Sequence, residues 1–233
     1  MNNIKAIFIK QAKDTLKNKT IFIQFIMFPM LTLIMSNSIK IEEMPENFFI
    51  NLFSTMYIGM APLTSMAAII SEEKEKNTLR VLMMSNVKPI EYLLGIGIYV
   101  WFVCIIGAGA ICAIGRYSIQ ERLIFMGIMA IGILISLLVG AAIGTYSTTQ
   151  MMATSITLPV MMVFAFLPML SLFNETIAKI AKFSYSEQIR LMLAQINNLA
   201  IGVETVCIMA VNTILCLVCF TIAYKKCGYA TEY

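Results

Sequence analysis

Apolar residues in this chain gather into six long runs, at 20–37, 48–70, 92–114, 123–146, 151–173 and 203–224. Each is close to the ~20 residues a helix needs to cross ~30 Å of hydrocarbon at 1.5 Å per residue. Between the fourth and fifth runs lie only residues 147–150, all uncharged, which predicts a tight hairpin. Three shorter stretches carry helical periodicity. In 2–19, Ile4, Ile7, Phe8, Ala12, Thr15 and Leu16 face one way; Lys10, Lys13, Asp14 and Lys17 face the other, with Lys5 off the pattern. Such a basic amphipathic helix suits the headgroup plane of a membrane. In 174–202, Ile177, Ile180, Ala181, Ile189, Met192, Leu193 and Ile196 recur at helical spacing, and Ser184-x-x-Glu187 reads as a capping box. Two short helices, packed on or dipping into one side of the membrane, are expected there. In 71–91, dense charges of both signs lead into Leu79, Leu82 and Met83 on one helical face, with Pro89 and Glu91 suited to the first turn of the next helix. The pattern predicts an all-α membrane protein, one domain over 1–233, with six transmembrane helices.

Composition strengthens this reading. Of 233 residues, 59% are hydrophobic and 13% are charged, where a soluble domain carries roughly 25%. That leaves too little polar surface to cover a core, so the outer face must meet lipid. The net charge of +4 reads as topology. With the N-terminus inside, Lys5, Lys10, Lys13, Lys17, Lys19, Lys74, Lys76, Arg80, Lys88, Lys225 and Lys226 fall inside, which is 11. Only Lys40, Arg116, Arg122, Lys179, Lys182 and Arg190, which is 6, fall outside. Lys and Arg favour the cytoplasmic side, so both termini and 71–91 are expected in the cytoplasm, 174–202 outside, and the chain in the inner or plasma membrane. The first run lacks a small-x-small site after it and is expected to be a retained span. No basic run interleaved with aromatics suggests nucleic acid.

Candidate chemistry is sparse. Six cysteines accompany no histidine. Cys216 and Cys219 have CxxC spacing but apolar flanks, so the cysteines read as small packing residues, without a disulfide framework, metal site or redox role. The span cores hold only neutral polar groups, such as Gln24, Thr64, Ser136 and Asn212. Ion-coupled carriers place charged groups mid-membrane, so this weighs against a secondary carrier. Without a GxxxxGK[ST] loop, the chain is not expected to hydrolyse ATP. Glu72-Glu73 lacks the arginine that an intramembrane EExxxR protease would need, because Asn77 stands there. What remains is the segment from Ser71 to Gly95: a short helix rimmed by charge, with a small apolar face. It suits docking on a partner protein, or equally a solvated charged loop.

This segment resembles the coupling-helix region of ABC type-2 exporter permeases, whose pattern runs E-[KR]-E-x-G-T-x-x-x-L-x-x-[ST]-P-V. The chain gives Glu73-Lys74-Glu75-Lys76-Asn77-Thr78, then Leu82, Ser85 and Val87 in register. It departs at Asn77, where Gly is usual, and at Asn86, where Pro is usual. Asn tolerates left-handed geometry, so the first change is mild. The layout of amphipathic helix, six spans and an outer helical excursion is also similar, as are Pro159 and Pro168 in the fifth span. The resemblance implies a non-catalytic permease that pairs with a second, identical or paralogous permease and with two cytoplasmic ATPase subunits, which bind ATP and magnesium. It implies export of an amphipathic drug, antibiotic or peptide. Glu72, Glu73, Glu75 and Arg80 are the expected polar docking contacts, Leu79, Leu82 and Met83 the apolar ones, with Thr78 in the motif. A membrane anchor or sensor that regulates an ATPase without transport, or a secondary carrier, are the alternatives.

Overall fold

The computed structural model describes residues 2–17, 19–39, 45, 47–85, 87–196 and 202–227. Every regular element among them is helical. In order they are α1 (Asn2–Lys17), α2 (Lys19–Ser38), α3 (Phe48–Glu75), α4 (Thr78–Met84), α5 (Pro89–Ile114), α6 (Ile119–Tyr146), α7 (Gln150–Leu170), α8 (Glu175–Ala181), α9 (Tyr185–Ala194) and α10 (Val203–Cys227). This follows from the solvent: in lipid each backbone polar group needs an internal partner, and a helix supplies it within one segment. Helices α3, α5, α6, α7 and α10 are long and apolar enough to cross a membrane. α2 adds the apolar stretch Ile23–Ser38; the side chains of 16–22, which include Leu16 and Lys17 of the amphipathic pattern, lie outside the described residues.

The bundle is organised around α3, which packs against α2, α5, α6, α7 and α9. Small residues make those approaches possible. Along α6, Gly132, Ser136, Gly140 and Gly144 recur every fourth residue and turn one narrow stripe to α3. A Cβ on Gly144 would stand 2.9 Å from Ile70 Cβ, and one on Gly140 would overlap the Leu63 carbonyl. On α3, Gly59 meets the backbone of Phe164 and Ala165 in α7. Apolar side chains gain little by leaving lipid for one another, so close backbone approach and its dispersion contacts hold such bundles together. α10 leans on α6 and α9 and is otherwise exposed.

The segment after α7 folds back into the bundle. α8 is capped by Asn174, whose side-chain oxygen accepts the Thr176 and Ile177 amides. In α9, Tyr185, Ser186, Glu187, Gln188, Ile189 and Leu193 are all buried. The Tyr185 hydroxyl meets the Ser136 hydroxyl at 2.8 Å, and Ser136 donates to the Ile58 carbonyl at 2.7 Å. From Ile119 to Ser136, α6 rises about 25 Å, so α9 begins deep between α3 and α6. The expected capping box does not form. The Ser184 hydroxyl pairs with Ser186 instead, and Glu187 accepts two hydrogen bonds from Arg190 and one from Ser171. A buried carboxylate is better satisfied by a bidentate guanidinium than by a single amide. The neutral polar residues of the spans are likewise ties between elements: Gln24 accepts from Thr64 at 2.9 Å, and Asn212 donates to the Phe183 carbonyl at 2.9 Å.

Candidate functional site

α1 crosses the end of the bundle where α3 finishes and α5 starts. Its buried side carries Ile7, Gln11 and Thr15, while Lys5, Lys13 and Asp14 are exposed. Ile7 sits in a notch at Gly95 of α5, where a Cβ would lie 2.8 Å from it. Asn3 donates to Glu91 at 3.0 Å, and Glu91 also accepts the Lys88 amide at 3.2 Å, which stitches the start of α1 to the start of α5.

The last turn of α3 holds four consecutive charges. Successive helix positions point about 100° apart, so each charge addresses a different neighbour. Glu72 pairs with Lys76 four residues on. That hydrogen bond holds the lysine above its ordinary range, and Lys76 is cationic and exposed. Glu73 is buried and accepts from both Lys10 and Gln11 of α1. Lys74 donates to the Thr145 carbonyl in the last turn of α6 at 2.6 Å. Glu75 accepts the amide of Gln150, the first residue of α7, at 2.7 Å.

The chain then turns sharply. Asn77, at the motif position where Gly is usual, takes the left-handed conformation that Asn tolerates, with φ of 55°. Asn and Gly enter this region at the least cost. The Thr78 hydroxyl donates back to the Glu73 carbonyl at 3.1 Å and closes the end of α3. The seven residues of α4 follow. Leu79 is buried in the main core and Leu82 packs against it, so the face expected to meet a partner is turned inward at these two positions. Among the described side chains, Val81 and Met84, exposed at 62% and 76%, are the apolar groups that α4 offers outward. The side chains of Arg80 and Met83 lie outside the described residues.

Sequence reasoning thus located the segment but not its partners. Lys10, Gln11, Lys74, Thr145 and Gln150 were missed. Gln11 carried a legible signal: it falls in line with Ile7 and Thr15 on the apolar side of α1, where a polar group needs a buried partner. Nothing in the sequence tells Glu73 from Glu75. At the opposite end of the bundle, Asn47, Asn51, Arg116, Tyr117, Glu121 and Leu193 help line a cavity of about 90 Å³. Burial raises the Tyr117 phenol above its ordinary range there, and its hydroxyl donates to Asn51 at 2.9 Å. Pockets for drug-sized molecules run to ~300 Å³ or more, so this one is too small to hold such a substrate.

Five long apolar helices, the central α3 among them, with a charged junction and the short α4 at one end, describe a multi-pass membrane protein. Residues 2–225 match the family model described as ABC-2 family transporter protein, and the chain belongs to that family. It is a transmembrane permease of an ABC transporter, and that membership implies an ABC ATPase as a partner. None of the curated proteins searched matches it.

Proposed function

We propose that this permease is the membrane subunit of an ATP-driven exporter, and that α4 is where a separate cytoplasmic ATPase docks. The observation that carries this is the form of α4. It is a seven-residue helix hung from the left-handed Asn77, with Val81 and Met84 exposed beside the Glu72–Lys76 pair. An apolar pair rimmed by charge is the kind of patch that buries well against a complementary groove. Glu73 and Glu75 are tied to α1 and α7; among the described side chains, Val81, Met84 and the mutually paired Glu72 and Lys76 are the ones this reading gives to the interface. In this reading α2 is a sixth span, both termini are cytoplasmic, and two permeases pair with two ATPase subunits that bind ATP and magnesium. ATP binding moves α4, and an amphipathic substrate leaves outward.

Sidedness tests the first requirement. A Lys76→Cys variant should react with a membrane-impermeant maleimide in inside-out vesicles and not in intact cells. Labelling in intact cells would place α4 beyond the reach of any ATPase and end the proposal. Purified with its ATPase in lipid, the permease should also show hydrolysis stimulated by amphipathic peptides or drugs. A regulator that moves no substrate would leave hydrolysis flat.

A further inference from the structure

The last two charges of α3, half-buried Lys74 and exposed Glu75, engage the two helices of one hairpin, α6 and α7. Lys74 bonds the Thr145 carbonyl, and Glu75 bonds the Gln150 amide. Between those contacts lies the short turn from α6 to α7, in which Thr149 caps α7 through the Met152 amide and Ser147 bonds back to Ile143. A carbonyl in the last turn of a helix and an amide in the first turn have no partner within their own helix. The chemistry is matched twice. The cation meets the negative C-terminal end of α6, and the carboxylate meets the positive N-terminal end of α7. Adjacent residues of opposite charge thus read adjacent helix ends of opposite polarity.

On the other side, the same turn of α3 is joined stiffly to α4. Only Lys76 and Asn77 intervene, the Thr78 hydroxyl bonds the Glu73 carbonyl, and Leu79 is anchored in the core. The link from α4 onward to α5 has bonds of its own, from the Val87 amide to the Leu82 carbonyl and from the Lys88 amide to Glu91 in the first turn of α5. α7 is also among the less enclosed spans, with little of its apolar window buried and α3 as its main support. A displacement of α4 therefore has a well-bonded route into the spans through Lys74 and Glu75 to the α6–α7 turn, beside the one that Glu73 makes through α1 to α5.

We infer that Lys74 and Glu75 are positioning residues that make the ends of α3, α6 and α7 move as one unit with α4. This rests on the reading of α4 as the docking helix. It assigns the two charges to transmission inside the permease and not to contact with the ATPase.

Hydrogen exchange on the permease–ATPase complex in nanodiscs tests it, with and without a non-hydrolysable ATP analogue and magnesium. Two peptides are followed, one covering 78–84 and one covering 144–152. In the native complex both should change exchange on nucleotide addition. In Glu75→Ala the 78–84 response should persist while the 144–152 response is lost, and the Gln150 amide should lose about tenfold or more of its protection, as expected for a hydrogen bond to a charged acceptor. Glu75→Gln keeps an acceptor and should retain the nucleotide response. The paired exchange Lys74→Glu with Glu75→Lys keeps net charge but opposes both helix ends, and should abolish it. A turn that responds to nucleotide in Glu75→Ala as in the native chain would overturn the inference, as would a Glu75→Gln variant that behaves like Glu75→Ala. A merely structural role would loosen the turn equally with and without nucleotide. If 78–84 itself fails to respond in the native complex, the docking reading falls and this inference with it.

Discussion

Gly59→Ala is the sharpest test of how α7 is held. A Cβ added there would lie 2.7 Å from the Ala165 amide nitrogen, 2.8 Å from the Phe164 carbonyl carbon and 2.9 Å from Ala165 Cα. Ordinary contacts begin near 3.4 Å, and all three obstacles are backbone, so no rotamer change relieves them. The two helices must part by about 0.5–0.7 Å, a gap at which neighbouring contacts forfeit roughly a quarter to a half of their dispersion well. Phe164, Val160 and Met161, which pack near Leu63 and Ala67, would share that loss. Overpacking of this kind costs about 1–3 kcal/mol. Gly127→Ala in α6 is the control, because nothing lies within 4 Å of its added methyl. Both variants gain about 1 kcal/mol of helix propensity, so their difference isolates packing. SDS titration in bicelles, followed by the fluorescence of Trp101, reads it; this residue is the single tryptophan and donates to the Ala130 carbonyl of α6 at 3.3 Å. Gly59→Ala should unfold at lower SDS than the native chain, and Gly127→Ala at the same or higher. A Gly59→Ala variant as stable as Gly127→Ala would refute the close α3–α7 approach.

Other variants probe the re-entrant segment and the turn. Arg190→Ala strips the buried Glu187 of its guanidinium and should cost about 3–5 kcal/mol in the same titration; Glu187→Gln in that background should recover part of it. Tyr185→Phe removes one mid-membrane hydrogen bond and should cost nearer ~0.6 kcal/mol. Asn77→Gly should fold and associate with the ATPase normally, whereas Asn77→Val forces a β-branched residue to positive φ, costing about 1–2 kcal/mol, and should weaken co-purification of the ATPase.

Five of the six expected spans and the hairpin at 147–150 were legible in the sequence because lipid leaves few options for twenty apolar residues in a row; the first run gives the shorter apolar stretch Ile23–Ser38. The tolerance of Asn at position 77 was legible too: the motif usually has glycine there, and the left-handed φ of 55° is one that both residues accept. What the sequence did not carry was direction. Periodicity says that Leu79 and Leu82 share a face of α4, but not that this face meets the core and leaves Val81 and Met84 outward. Glu73, Lys74 and Glu75 look alike as a charged run, yet 100° per residue sends them to α1, α6 and α7, and only the tertiary arrangement says which neighbour waits at each angle. The Ser184 capping box failed for the same reason, since Arg190 and Ser171 compete better for Glu187. The stripe of Gly132, Ser136, Gly140 and Gly144 went unread in the sequence, although a small-residue repeat of this kind is the signal for a close helix seam such as α3–α6.

The most direct measurement on the account as a whole is a photo-crosslink from α4. With a benzophenone amino acid in place of Met84, illumination of the assembled complex should yield one adduct between the permease and an ABC ATPase, identified by peptides of its phosphate-binding loop. The same probe in place of Ile131, exposed on α6, should yield none. An adduct to lipid alone from position 84, or equal ATPase adducts from both positions, would contradict the docking role of α4.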